Sequence, residues 1–459
     1  MANNNLASIP EIWAREGLMV LTENAPAVGL VSRQYSADLA NFGDTVNAYR
    51  ADTRKIRRKT DDDSFTANDA NLTAVPVKLD QWFYDTIIIK DGEMSKSIAN
   101  LTQTHLVPVM QNIARAVDRA ILGRVHAFLQ NGTPANRAGK LRGMTKSNSA
   151  DYVLEAQEIL HTLKAPAGVK SAIVHQTAQT FLQGNTLFAA ADSRGSSELI
   201  TTGRVGQIYG ANVVMSQNVN YVQHSLADIQ SATVNNSGGY AAGTTSALTV
   251  TDPGTDWTVG EFAVLEENGQ PTWVAVTASA TSITLNEALK YAVTNSSAIT
   301  HYLKVANEAV ARAAGYQKEM LFTHTSGKNL QVGQLLAFGT GGSRHTYTII
   351  EATVASATTT SVLLDRPLDA SVASGANAFP GPAGGMNLFL HPEAIAFVSR
   401  PLAIPGNEFG VMSAVQSFNG IGLRVTMQYD SSVGGLRTNV DLLAGVKELN
   451  TSLASVMLS

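Results

Sequence analysis

Six cations crowd the ten positions from Arg50 to Lys59: Arg50, Arg54, Lys55, Arg57, Arg58 and Lys59. Asp61, Asp62 and Asp63 follow almost at once. A run of this kind supports three chemistries. It can lie solvated in a loop, contact a phosphate backbone, or dock on an acidic patch of a neighbouring chain. The interleaved aromatics of a base-stacking surface are missing. The three adjacent aspartates cannot all converge on one hard cation, and no EF-hand spacing follows them. The nine histidines are scattered, with no H-x-H or H-E-x-x-H pair. Gly139-Lys140 lacks the upstream glycine of a P-loop, and Gly339, Gly341 and Gly342 complete no dinucleotide fingerprint. No G-x-S-x-G elbow occurs. The chain has no cysteine, so disulfides, thiolate metal sites and a cysteine nucleophile are excluded together. The sequence therefore assigns no catalytic residue, metal site or cofactor.

The chain has 459 residues, about three packing units at ~150 residues per domain. Only 15% of residues are charged, against ~25% in an average soluble protein. Such a neutral surface suits burial against other subunits. The net charge is −4 and the pI about 6.1, which argues against whole-molecule attraction to nucleic acid or an anionic membrane. Mean hydropathy is 0.00, and no run of ~18 apolar residues predicts a membrane-spanning helix. Residues 1–5 are polar and uncharged, and Arg15 and Glu16 interrupt the apolar stretch Ile12–Leu21, unlike a signal peptide.

The elements that would position these residues come next. Ile12, Trp13, Leu18, Met19 and Leu21 predict a short amphipathic helix over Pro10–Asn24, with Pro10 in its first turn. Thr45–Arg50, Val75–Leu79 and Tyr84–Ile89 read as strands. The polar stretch 51–74 between the first two makes an extended hairpin. Apolar residues at three- and four-residue steps predict a helix over Ser97–Gln130, of ~50 Å if continuous, with Pro108 kinking or splitting it. Asp151–Leu163 and Thr177–Leu187 read as helices, and Ala172–His175 and Ile208–Met215 as strands.

From about 225 to 385 Ser, Thr, Gly, Ala and Val dominate, in short alternating strands. Trp257-Thr-Val-Gly260 is echoed by Leu330-Gln-Val-Gly333, and Ser279–Leu289 by Ser356–Leu368. Common origin and chance both remain open. Two β-units of this size would pack as small barrels or sandwiches, with Trp257, Phe262, Trp273, Phe322 and Phe338 as core anchors. Residues 305–319 read as a short linking helix around Val305, Ala309, Val310 and Ala313. Beyond the Gly/Pro-rich segment 379–385 come a strand, a turn at His391-Pro392, a helix or strand to Pro401, and strand patterns over 423–429, 438–447 and 453–458. The whole parses as one α/β body interrupted by a β-rich insertion.

This order of parts resembles the major capsid proteins of tailed bacteriophages. Ile9-Pro-Glu-Ile-Trp-Ala-Arg-Glu16 resembles the opening of their N-arm, and Ala40-Asn-Phe-Gly-Asp-Thr-Val-Asn47 the entry to their extended loop. Asn387-Leu-Phe-Leu-His-Pro-Glu-Ala394 with Ser399-Arg-Pro-Leu402 resembles the segment feeding into their axial domain, and Leu442-Leu-Ala-Gly-Val-Lys447 their closing strand. The inserted β-rich stretch is most similar to podophage coat proteins with an inserted domain, although this chain suggests two β-units rather than one. The resemblance implies an α+β, Hong Kong 97-type fold. Its parts are an N-arm (1–48), an extended loop (49–90), a peripheral spine helix (91–148), an axial domain in two parts (149–224 and 386–420), an insertion (225–385) and peripheral return strands (421–459).

The implied function is structural and non-enzymatic. Copies would form hexamers and pentamers of an icosahedral shell around double-stranded DNA, assembled in the host cytoplasm and resident in the virion. The implied partners are a scaffolding protein, a portal protein and decoration proteins, with no membrane. Trp13, the basic run and the three aspartates become candidate contacts between subunits. Two rival readings are a bacterial nanocompartment shell, which shares the fold, and a β-rich surface or carbohydrate-binding protein built around 241–380.

Overall fold

The structure is a computed structural model. It describes residues 5–34, 45–51, 72–94, 106–129, 144–189, 205–222, 229–244 and 247–459, the last apart from 252–261, 268–269, 276–280, 284–288, 290–291, 303–305, 339–344, 381–383, 405–410 and 419–420. The chain is mixed α and β, with strands in the majority. Helix α1 is Asn5–Asn24, and a 3-10 turn follows at Pro26–Leu30. Next come β1 Thr45–Ala51, β2 Leu72–Lys78, β3 Gln81–Lys90, α2 Asp91–Met94, α3 Val107–Leu122, a 3-10 turn at Gly123–Val125, and α4 His126–Leu129. An alternating stretch holds α5 Ser149–Thr162, β4 Lys170–Val174, α6 Gln176–Gln183, α7 Thr186–Ala189, β5 Gln207–Ile208, β6 Ala211–Met215 and β7 Tyr221–Val222. The β-rich stretch holds β8 Ile229–Thr233, β9 Leu248–Thr249, β10 Phe262–Glu267, β11 Gln270–Ala275, β12 Ser282–Ile283 and β13 Ala298–Tyr302. It continues with β14 Ala306–Glu308, β15 Met320–His324, β16 Leu335–Phe338, β17 His345–Ser356, β18 Thr359–Leu364 and β19 Asn377–Pro380. The chain closes with β20 Gly384–Leu390, β21 Ile395–Arg400, β22 Met412–Phe418, β23 Ile421–Asp430, β24 Gly435–Glu448 and β25 Ala454–Leu458.

These elements pack as two compact units, one of residues 1–19, 32–110 and 395–449, the other of residues 20–31, 111–394 and 450–459. The chain thus changes unit between Ala394 and Ile395 and again after Leu449. The reason is strand pairing. β21 pairs with β24, while β20 pairs with β4 and β25.

In the first unit β24 is the common strand. β3 lies along one edge of it from Gly435 to Ala444. β23 and then β21 share the other edge, and β22 closes beyond β23. The cross-strand pair Arg424–Asp441 is bidentate, with Nε to Oδ1 at 2.9 Å and Nη2 to Oδ2 at 2.6 Å. This is the strong form of a charge-assisted bond.

In the second unit the sheet runs β25-β20-β4-β6-β5, and only β4 and β6 are parallel. β4 is buried along its whole length, as a central strand covered on both faces should be. Tyr152, Val153, Ala156 and Leu160 of α5 and Ala178 and Leu182 of α6 pack on this sheet with Phe389 and Met457. Asn387 ties three strands together. Its Oδ1 accepts from the His175 backbone N–H at 2.6 Å, and its Nδ2 donates to the Met457 carbonyl at 3.0 Å. Burial lowers the His175 pKa. Asp118 of α3 has no exposure and accepts from the Ala27 N–H, the Ser216 hydroxyl and the Asn218 amide at 2.7–2.9 Å. Burial still outweighs those donors and raises its pKa.

The β-rich stretch holds two cores. In the first, β8, β13, β10 and β11 form one sheet and β9 pairs with β12. Val234, Leu248, Val250, Ile283, Leu289, Val293 and Ile299 are packed together there. Phe262 and Trp273 take their places in β10 and β11, while Trp257 lies outside the described residues. The second is a closed six-stranded barrel, β14-β15-β18-β17-β16-β19. Phe322 and Phe338 are buried in it with ring centroids 5.9 Å apart, and Tyr347 stands 5.9 Å beyond Phe338.

Three predicted elements differ. The linking helix at 305–319 is the strand β14 followed by a turn. Glu308, which has no exposure, is drawn in by β15 and β19 pairing and held by Arg312 at 3.1 Å. Helix α1 begins at Asn5, so Pro10 lies beyond its first turn. Pro108 is the second residue of α3, where a missing N–H costs nothing. The helix is interrupted at Gly123–Val125, while residues 95–105, upstream of Pro108, lie outside the described residues. A Cβ on Gly123 would sit 3.0 Å from that of Asp365 and 3.2 Å from that of Thr348. The Thr348 hydroxyl donates to the Gly123 carbonyl at 2.7 Å, taking an acceptor that the helical ladder would use. Asp365, also without exposure, faces Arg124 at 3.8 Å and Arg366 at 3.3 Å and accepts from the Thr348 N–H at 2.9 Å.

Gly123→Ala should therefore push barrel and helix apart and destabilise the subunit by ~1–3 kcal/mol. Asp365→Ala, which removes a buried carboxylate from between Arg124 and Arg366, should cost ~3–5 kcal/mol. Urea denaturation of the dissociated subunit measures both. A cost below ~1 kcal/mol for Asp365→Ala would show that this joint is not a structural one.

Candidate functional site

The features left for interaction with other molecules gather on the first unit. β1 and β2 form a two-stranded ladder with seven residue pairs, from Thr45↔Lys78 to Ala51↔Leu72. Among the described residues no third strand joins it. A lone two-stranded hairpin is marginal in water, so the ladder needs cover. At one end it has some. Val46 and Val77 pack on Ala396 and Val398 of β21. Gly445 of β24 lies against the Lys78 carbonyl, where any Cβ would collide. The other end delivers the chain at Ala51 and takes it back at Leu72, side by side.

Arg50 stands in β1 opposite Thr73, in the outer half of the ladder. Arg54, Lys55, Arg57, Arg58, Lys59, Asp61, Asp62 and Asp63 all fall within 52–71, outside the described residues. Trp13 is 6% exposed. On α1 it is Ile12 and Met19, 52% and 61% exposed, that face outward.

The sequence reading placed a strand over Tyr84–Ile89 but named none of its residues as a contact. Strand alternation puts Trp82, Tyr84, Thr86 and Ile88 on one face. Trp82 is 57%, Tyr84 71% and Ile88 40% exposed, while Ile89 on the other face is 1% exposed. Thr86 donates to the Asn439 side chain at 2.7 Å and pins this face to β24. Tyr429, also exposed, donates to Asp91 at 2.7 Å, and that carboxylate raises its pKa. Exposed aromatics at alternate positions are the residues that anchor protein–protein contacts. The signal was present in the order Trp82, Tyr84, Ile88. It became legible only once the opposite face was known to be the covered one.

The short sequences that carry the family resemblance are fasteners. Gly445 seats the ladder, and Asn387 joins β4, β20 and β25. The Ser399 hydroxyl donates to the Leu443 carbonyl and accepts from the Gly422 N–H, both at 3.1 Å. Among the described residues no group of three or more His, Asp or Glu could hold a metal, and no helix is long and apolar enough to cross a membrane.

No protein-family profile matches the chain, and no curated protein does. Solved structures of phages do. One from Mycobacterium phage Che8 is 12% identical over 93% of this chain and 88% of its own, with a TM-score of 0.43. The capsid structure of the cyanophage P-SCSP1u is 9% identical over 91% and 84%, with a TM-score of 0.41. The mature capsid of bacteriophage PhiM1 is 9% identical over 91% and 82%, with a TM-score of 0.38. At these identities and TM-scores the likenesses carry no argument about function.

Gly445→Val should unseat the ladder while leaving the sheet intact. Amides of β1 and β2 should lose hydrogen-exchange protection, and those of β23 and β24 should keep it. Equal loss in all four strands would mean that Gly445 serves the sheet and not the seat.

Proposed function

We propose that this chain is the major coat protein of a tailed double-stranded DNA bacteriophage, built on a Hong Kong 97-type fold and assembling with copies of itself into an icosahedral shell. The observation that carries the reading is the β1–β2 ladder, a two-stranded arm seated through Val46, Val77 and Gly445 and joined by no third strand among the described residues. A segment of this kind gains its cover from another molecule. Copies of one chain supply that cover everywhere at once when the assembly closes. The exposed faces of β3 and α1 in the same unit add apolar area for contacts between subunits. A charge content of 15% suits large permanent interfaces, and a mildly acidic wall would not grip packaged DNA by its phosphates. Hexamers and pentamers of the chain, a scaffolding protein, a portal protein and decoration proteins are the partners this reading brings. The two β-units of 225–385 lie on the outer surface of such a shell.

Co-expression with a scaffolding protein should give closed particles tens of nanometres across by light scattering. Electron microscopy of them should place the barrel on the outside. Monomers or small oligomers alone, or a barrel lining the lumen, would contradict the respective claims.

The basic run supplies a separate check. Replacing Arg54, Lys55, Arg57 and Arg58 with Ser should leave the subunit folded but make its particles fall apart at lower salt or temperature than the parent's. The net worth of each exposed ion pair is only ~0.2–1 kcal/mol, so the effect should emerge through repetition across the shell. Particles as resistant as the parent's would mean that the run is merely solvated.

A further inference from the structure

We infer that the two cores of the β-rich stretch are one six-stranded barrel module present twice, and that Glu308 and Arg312 of the second copy occupy the sites that Val234 and Tyr240 fill in the first. The inference concerns the module alone and does not rest on the coat-protein reading.

Strand pairing supplies the correspondence. The strands β8 to β13 follow one another as β14 to β19 do. Ala232↔Ile299 in the first copy matches Ala306↔Ala378 in the second, and Val264↔Thr300 matches Ala337↔Phe379. Val264↔Trp273 matches Ala337↔Thr346, and Leu248↔Ile283 matches Met320↔Val362. The bridge Val234↔Val250 matches Glu308↔Phe322. These are five of the six pairings that close the second barrel. The counterpart of the sixth, β17 with β18, falls on 276–280, outside the described residues. The shifts that make these matches are nearly uniform. They are 74 residues for β8 (232 to 306), 72 for β9 (248 to 320) and 73 for β10 and β11 (264 to 337, 273 to 346). For β12 and β13 the shift is 79 (283 to 362, 299 to 378). Two unrelated barrels of one topology would need a different shift for each strand, because register is set pair by pair.

The connections agree with no further adjustment. Tyr240 and Val293 exchange two backbone hydrogen bonds of 2.8 Å. At the same shifts of 72 (240 to 312) and 79 (293 to 372), Arg312 and Val372 exchange two of 2.8 and 2.9 Å. Gly243, at φ +86°, donates to the Leu289 carbonyl at 2.6 Å, and Gly315, at φ +82°, donates to the Leu368 carbonyl at 2.7 Å. Each glycine closes an Ala-Ala-Gly run, at 241–243 and at 313–315. The echoes in the sequence obey the same shifts, 73 from Trp257 to Leu330 and 79 from Leu289 to Leu368. Common origin, not chance, accounts for them.

The copies differ in two respects. The step from 73 to 79 adds six residues between β17 and β18, where β17 is buried from Tyr347 to Ile350 and opens to solvent from Glu351 on. The other difference is charge. Val234 is 1% exposed and belongs to the first core, on which Tyr240 packs. At the counterpart positions Glu308, with no exposure, accepts from Arg312 Nε at 3.1 Å. Its Oε2 is buried with no hydrogen-bond partner among the described residues. A buried ion pair is often no more stable than well-packed apolar residues in its place, whereas either partner left alone is costly. Equivalent sites should therefore accept each other's pair of residues, and reject half of it.

Hydrogen exchange read by mass spectrometry on the full chain tests this. Arg312→Tyr alone leaves Glu308 buried without its cation, and should speed exchange in β15 and β19 about tenfold or more. Adding Glu308→Val should return those strands to the parent's rate. In the first copy Val234→Glu alone should speed exchange in β13, and adding Tyr240→Arg should slow it again. The reversed pair Glu308→Tyr with Arg312→Val has the composition of the first copy in the wrong places and should not regain protection. Failure of either added substitution to restore protection overturns the inference, as does a reversed pair protected like the parent. Should a single variant fail to fold, the paired variants are read against the parent and decide between the same outcomes.

Discussion

Asp365 has no exposure, yet it faces two guanidiniums and a backbone N–H. A carboxylate taken out of water at that depth is tolerable only with its partners in place. The partners come from far apart in the chain: Arg124 from the end of the long helix, Arg366 from its own turn, and the N–H from Thr348 on the barrel wall. Satisfying one charge therefore fixes where the helix stops, how the barrel is attached and which way the 365–369 turn runs. Thr348 serves the same end twice, donating its N–H to Asp365 and its hydroxyl to Gly123. The absence of a side chain at Gly123 lets the two elements come that close.

The first unit follows a different logic. Its organising element is apolar and extended: β24, long enough to hold β3 along one edge and both β23 and β21 along the other. The ladder leans on this sheet at one end through Val46, Val77 and the bare backbone of Gly445. One unit is thus tied inward by buried charge, while the other leaves its arm and an aromatic strand face turned outward.

What was legible in the sequence was what local pattern determines. β1, β2, β3, α5 and β23 fall close to where alternation or helical spacing put them. The long apolar periodicity of 97–130 was read as a helix kinked or split at Pro108. The actual break comes from Thr348, more than two hundred residues away in sequence, and no local pattern announces it. The same holds at 305–319, where Ala and Val at helical spacing suggested a helix. The partner strands β15 and β19 impose extended backbone there. Trp13, a candidate contact by type, is 6% exposed, whereas Tyr84, read only as part of a strand, is 71% exposed. Side-chain type reports what could be buried, and tertiary packing decides what is.

The register that closes the ladder bears on how the stretch 52–71 can vary. Bringing two chain ends together has an entropic cost that grows only as the logarithm of the intervening length, about 0.6 kcal/mol for each doubling. Seven ladder pairs already hold Ala51 beside Leu72. Residues added to or removed from the intervening stretch leave that pairing, and the fold behind it, almost untouched. The cost of closing the ladder is therefore set far more by its own seven pairs than by the number of residues between Ala51 and Leu72.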